Sequence, residues 1–146
     1  MTGSLHTGSP DVTDQARRLY DEVWNAGRYE VADQLFHPDF QYPPAPGLRG
    51  PEAKLAAIRR YRTASPDLHI RVDDLVAQGD TVAVRWTISG TDTAGLAGRQ
   101  PTGRSFSTWG VDILGFREGR IISDWIGVDW LGVFTQLGAI DDPWAH

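Results

Sequence analysis

Apolar positions along this chain change period once. The first third shows helical spacing, and the rest alternates in the way of strands. Val12, Ala16, Leu19, Tyr20, Val23 and Trp24 recur every three or four residues and predict an amphipathic helix over 11–26. Asp11 or Thr13 can cap it and Gly27 ends it. A shorter helix is expected over 30–36, stopping at His37-Pro38. Residues 39–42 read as a short strand broken by Pro43, Pro44 and Pro46. Gly50-Pro51 opens a third helix whose buried side is Leu55, Ile58 and Tyr61, and Ser65-Pro66 closes it. Its cations, Lys54, Arg59, Arg60 and Arg62, read as a solvated face.

Four β segments follow, over 67–77, 81–91, 104–116 and 120–129, and then a short closing helix. Helices first and an antiparallel meander afterwards is an α+β pattern, which argues against a doubly wound parallel sheet. The expected architecture is a curved antiparallel sheet wrapped around the N-terminal helices and enclosing an apolar pocket. On the third segment, Phe106, Thr108, Gly110, Asp112, Leu114 and Phe116 share one face, and Ser107, Trp109, Val111 and Ile113 share the other. Both faces are apolar enough to need a cover, which predicts a homodimer.

The 146 residues suit one domain, expected over 11–140, with short tails at 1–10 and 141–146. A net charge of −5 offers no basic surface for nucleic acid and no polybasic membrane anchor. No segment reaches membrane-spanning length and no signal peptide is evident, so a cytoplasmic protein is expected. The absence of cysteine removes disulfides, thiolate metal sites and thiol nucleophiles. His6, His37, His69 and His146 have no metal-ligand spacing. There is no G-x-S-x-G, phosphate loop or dinucleotide fingerprint; the glycine-rich 98–104 segment lacks the phosphate-loop lysine and precedes a strand. Chemistry here is expected to need no metal and no cofactor.

The candidate chemistry lies in the last hairpin. Asp112 and Asp124 sit within apolar strands, where carboxylates are rare without a partner or a task. A three-residue Arg117-Glu118-Gly119 loop would pair Phe116 with Arg120 and set Asp112 opposite Asp124 and Gly110 opposite Ile126. A two-residue loop would pair Asp112 with Trp125 and bring Asp129 onto its face. The first is preferred, because glycine then occupies the positive-φ position. Two facing carboxyls under apolar walls would leave one protonated near neutral pH, able to accept a proton from a carbon acid and donate one to an alkoxide. The bland alternative puts either acid at the rim or against an arginine such as Arg85. Gly110 would leave room for a ligand beside the acid, and Trp24, Tyr42, Phe106, Trp109 and Trp125 are candidate walls for a flat substrate.

The runs W-N-A-G-R at 24–28, H-P-D-F at 37–40, P-T-G-R at 101–104, E-G-R-I at 118–121 and W-L-G-V-F-T-Q-L-G at 130–138 resemble the SnoaL-like polyketide cyclases. The resemblance spans about 12–138 and implies a nuclear-transport-factor-two-like, cystatin-like α+β cone with a deep apolar pocket, usually dimeric. It implies a role in polyketide tailoring and antibiotic biosynthesis: cofactor-free aldol closure of a ring on an aromatic polyketide. Strand for strand, Asp112 falls where the family has a helper histidine, and Trp24 and Tyr42 fall at pocket-lining positions. The family's catalytic aspartate position falls on Ile126, with Asp124 two residues earlier and Asp129 three later. The resemblance therefore leaves alternatives open: hydroxylase-type tailoring of an anthracycline-like substrate, epoxide hydrolysis, or binding of a small molecule without catalysis.

Overall fold

The computed structural model describes residues 11–144; the expected tail over 1–10, with His6, and the terminal His146 lie outside them. The first helix forms where its stripe predicts. Asp11 caps it by accepting from the Thr13 N–H at 2.9 Å. Its α-helical part, α1 (Val12–Arg18), runs on as a π-helix over Leu19–Asn25, with Ala26 N–H reaching back to Asp21 C=O at 3.1 Å. The wide turn brings Leu19, Tyr20, Val23 and Trp24 all into the core. A 3₁₀ turn, Tyr29–Val31, leads into the four residues of α2 (Ala32–Leu35).

No strand forms over 39–42. Three prolines just beyond it lack the N–H groups a ladder needs. Phe40 donates to His37 C=O and accepts from Gly50 N–H, closing a turn instead. The only bridge nearby joins Phe36 to Ile121 in parallel. The third helix, α3 (Pro51–Ala64), starts on its proline as expected.

The sheet is an antiparallel meander in the order β1 (His69–Gln78), β2 (Thr81–Thr91), β3 (Ser105–Arg117), β4 (Arg120–Val128). The helices lie on its concave face, and α4 (Trp130–Gln136) closes one end. Between β2 and β3, Asp92 holds the long loop: its carboxylate accepts from Leu96 N–H, Thr102 N–H and Thr102 Oγ1, each at 2.9 Å.

The β3–β4 register differs from the preferred expectation. Arg117 pairs with Arg120, so the loop has two residues, Glu118 and Gly119, both at positive φ (54° and 77°). This is the hairpin turn whose twist matches that of the strands. One residue on, β4 carries a bulge: Phe116 pairs with Ile121 and Gly115 with Ser123, leaving Ile122 over. A tight turn alone would have pointed Asp124 outward. The extra residue reverses the alternation and points Asp124 inward. Asp112 is then opposite Ile126, Asp124 opposite Leu114, and Gly110 opposite Val128. The two acids are diagonal neighbours on the buried face rather than a facing pair.

The outer face of the same strands is apolar and open. Trp109, Ile113 and Trp125 are 54%, 44% and 75% exposed, and Ile113 pairs with Trp125 across the strands.

Candidate active site

A cavity lies between the concave face and the helices, walled by Trp24, Tyr42, Trp86, Phe106 and Ile126, with Asp112 as its only carboxylate. Its walls stand close together, enclosing about 40 Å³. Aromatic rings on and beside its wall form a ladder of near-parallel planes. Trp24 stacks on Tyr61 at 6.3 Å, Tyr61 on Trp130 at 5.7 Å, and Trp130 on Phe134 at 6.1 Å.

Asp112 is buried, and its Oδ2 accepts from the Tyr20 hydroxyl at 2.5 Å. Beside it, Lys54 Nζ donates to Asp124 Oδ2 at 2.7 Å, an ion pair whose side chains are 1% and 0% exposed. The ammonium also lies 3.4 Å from the Tyr42 hydroxyl and 4.4 Å above that ring. Burial pushes the Asp112 carboxyl up to about 7; Lys54 opposes this, and the neighbouring Asp124 adds to it. Burial works against the Lys54 ammonium, but the surrounding Asp124, Asp112 and Tyr42 outweigh it and raise its pKa. Burial and the Asp112 charge raise Tyr20, keeping it a hydroxyl donor.

The site therefore divides its two acids. Asp124 is occupied by a cation, while Asp112 is the one that faces the cavity with a carboxyl near neutrality. The buried side-chain polar atoms without a protein partner among the described residues are Asp112 Oδ1, Asp124 Oδ1, Trp24 Nε1 and Trp86 Nε1.

Of the residues singled out in the sequence, Trp24, Tyr42, Phe106, Asp112 and Ile126 border this cavity. Asp124 sits behind Lys54 and borders the separate groove beneath the proline-rich loop. Trp109 and Trp125 point to the opposite face, because the alternation that turns Asp112 and Asp124 inward turns them out. Gly110 does not leave ligand space. The six-membered ring of Trp86, its cross-strand partner, occupies the place a side chain would take. Asp129 is a helix cap, accepting from Gly132 N–H at 2.9 Å. Arg85 pairs with Asp74 and Asp73, not with either buried acid.

Three residues were missed. Tyr20 read as one more core position. Trp86 drew no notice within its strand. Lys54, expected on a solvated face, is buried; it falls four residues before Ile58 and seven before Tyr61, squarely in the apolar stripe of α3. That spacing was the available signal. Arg62 also departs from the solvated face, donating to the carbonyls of Trp24 and Leu68, whereas Arg59 and Arg60 are exposed as expected. Among the described residues no cluster of His, Cys, Asp or Glu is suited to a metal ion, and no helix is long and apolar enough to cross a membrane.

Fold and site together define an α+β cone with one titratable acid inside an apolar cavity. The solved structure of TsrD from Streptomyces laurentii superposes with a TM-score of 0.82 at 33% identity, covering 88% of this chain and 96% of that one. The chain is 31% identical over 138 residues to the aklanonic acid methyl ester cyclase DnrD of Streptomyces peucetius, covering 90% of this chain and 91% of that protein. It is 33% identical over 144 residues to the aklanonic acid methyl ester cyclase DauD of Streptomyces sp. (strain C5), covering 93% and 84%. The profile of the SnoaL-like polyketide cyclases matches residues 14–137. The chain belongs to that family.

Two predictions follow from the buried charges. Lys54→Met strands Asp124 without its cation and should cost about 3–5 kcal/mol in denaturant unfolding. Adding Asp124→Leu should recover most of that loss; a single variant as stable as wild type would refute the pairing's role. For Asp112, the folded pKa of about 7 exceeds the ordinary carboxyl value. The folded state thus keeps a proton that the unfolded chain has lost above about pH 4. This contribution is full at acid pH and drains as pH rises through 7. The melting temperature of Asp112→Asn should fall less between pH 5 and 8 than that of wild type.

Proposed function

We propose that this protein closes a ring on an aromatic polyketide by cofactor-independent intramolecular aldol addition, with Asp112 as both base and acid. The observation that carries the reading is a single carboxyl in an apolar, aromatic-walled cavity whose pKa is pushed up to about 7. A group that must take a proton and give it back serves best with a pKa near the working pH.

The family resemblance implies a catalytic acid at position 126, on β4, where this chain has isoleucine. Asp112 is the direct cross-strand partner of Ile126. Directly opposed side chains on one face stand about 4.5–5.5 Å apart at Cβ, so the acid serves nearly the same point in the cavity from the neighbouring strand.

The step balances without a further reactant. The Asp112 carboxylate takes the proton from the carbon between activating carbonyls. The resulting enolate carbon bonds to a second carbonyl carbon of the same molecule, and that carbonyl's π pair moves onto its oxygen. Asp112 then returns the proton to this alkoxide, giving a hydroxyl and restoring the carboxylate. Tyr20, through its hydrogen bond to Oδ2, fixes the carboxyl and leaves Oδ1 for the substrate. Lys54 lowers the cost of the charged form without touching the reacting atoms. A fused-ring substrate is accommodated by parting the stacked rings, exchanging ring–ring contacts for ring–substrate contacts of the same kind.

The methyl ester of aklanonic acid, after which the relatives are named, is the first substrate to test. Its conversion, followed by chromatography, should fall about 10²–10⁴-fold in Asp112→Asn with the fold intact. In wild type, kcat/KM should rise with pH and level off above about 7 as Asp112 loses its proton. Near-wild-type turnover by the folded variant would overturn the assignment.

The same reading extends to assembly. Trp109, Ile113 and Trp125 form an exposed apolar face that suits a second copy of this chain. Light scattering should give the mass of a dimer at micromolar concentration; Trp125→Glu should shift it to the monomer.

A further inference from the structure

We propose that Trp86 is a catalytic residue: its indole N–H donates a hydrogen bond to the carbonyl oxygen that becomes the new hydroxyl. This rests on the aldol reading above and names the group that polarises the electrophile, a role Asp112 cannot fill while it is a carboxylate.

Trp86 is only 4% exposed, yet its N–H has no acceptor in the protein. Buried indole N–H groups ordinarily find a partner. Trp86 lines the cavity, so an acceptor oxygen on a bound molecule is the partner its N–H can take. The carboxylate oxygen left over nearby, Asp112 Oδ1, is likewise without a donor. A molecule carrying an acidic C–H and a carbonyl oxygen complements both: the C–H meets the carboxylate and the oxygen meets the indole.

The register puts the two groups at a suitable separation. Trp86 pairs with Gly110 and Val84 pairs with Asp112, so Trp86 and Asp112 are diagonal neighbours on the same face of β2 and β3. Such neighbours lie about 7–8 Å apart at the backbone, a span that one bound molecule can bridge. Gly110 fixes the ring. Any side chain there would collide with the Cζ2–Cη2 edge of the indole, and its Cβ would come within 2.8 Å of Gly127 C=O. The missing side chain thus lets the indole lie across β3 rather than stand off it.

The choice of an indole also follows from the chemistry. It is a donor with no acceptor nitrogen and no proton that titrates in the working range, so it cannot be consumed by the enolate or by Asp112. A lysine or arginine in its place would be drawn onto the carboxyls. An aromatic donor completes the apolar wall and is already aimed before charge develops on the oxygen, the condition under which such donors contribute most.

The test is Trp86→Phe, which keeps an aromatic ring and removes the N–H. With the same methyl ester, kcat should fall about 10²–10³-fold and KM should change far less. A folded Trp86→Phe with wild-type kcat, alongside an inactive Asp112→Asn, overturns the proposal and leaves the aldol reading standing. A binding experiment separates the two independently of turnover. At pH 8.5, above the Asp112 pKa of about 7, the carboxyl cannot donate. Wild type should then prefer 2-acetylnaphthalene over 2-ethylnaphthalene by about three- to tenfold, and Trp86→Phe should lose that preference. In ¹⁵N-labelled wild type, the Trp86 indole signal should move downfield with the ketone and not with the hydrocarbon. This holds even if the variant fails to fold, and an unmoved signal overturns the proposal. If Asp112→Asn proves fully active, the aldol reading falls while the ketone titration still decides Trp86.

Discussion

The structure depends on how two carboxyls are accommodated in one apolar core. Asp112 and Asp124 lie diagonally on the buried face of a hairpin, where two bare charges could not coexist. Lys54 resolves this unequally. Its ammonium binds Asp124 at 2.7 Å and reaches Asp112 only through the field. A buried pair of this kind is poor evidence for stability, because desolvating both ions offsets most of their attraction. Its effect is selective: one acid is committed to a cation and the other is left poised. The Asp112 pKa follows from this opposition, with burial and Asp124 pushing up and Lys54 and the Tyr20 hydroxyl pulling down.

Three of the four groups reach that point through a local irregularity or an unusual placement. Tyr20 comes from a π-helical segment, a rare form often found at functional sites, which here turns four successive apolar positions inward. Asp124 comes from a bulge, without which the two-residue turn would point it to solvent. Lys54 comes from the middle of an apolar stripe, and its ammonium lies over the Tyr42 ring. Asp112 alone sits in a regular strand. An irregular backbone gathered around a single carboxyl is the pattern expected where function sets local structure and the remaining core supports it.

This explains what the sequence disclosed and what it hid. The helical stripe of 12–24, the proline start of α3 and the alternation of β2 and β3 are periodic signals, and each produced its element. The inward face of β3 placed Asp112 correctly because no irregularity lies on that strand. The position of Asp124 on the buried face was also read correctly, but from a three-residue loop that does not exist. The true turn and the true bulge each shift the register by one, and their effects cancel in side-chain direction while changing every pairing. Composition cannot reveal such a cancellation. Lys54 was assigned by its charge rather than by its spacing, and spacing was the better guide. Gly110 was read as leaving room for a ligand; what fills the gap is Trp86, and nothing local in the sequence says which cross-strand neighbour will lean into it.

The narrow cavity bears on the chemistry as well as on access. Coulomb interactions among Lys54, Asp112 and Asp124 are strong because the three groups are buried among aromatic walls, and exposure to solvent would weaken them severalfold. A substrate that opened the site to solvent would therefore lower the Asp112 pKa and weaken the base. A flat ring system does the reverse. It separates the stacked walls only by its own thickness and keeps apolar surface against them, so the carboxyl remains as desolvated with substrate as without. On the proposed reading, an extended aromatic substrate and a near-neutral acid are thus one physical condition. A small polar substrate could reach Asp112, but it would bring in the water that destroys the property making Asp112 useful. On the proposed aldol reading, a preference for fused rings would come from the electrostatics of the acid as much as from the shape of the walls.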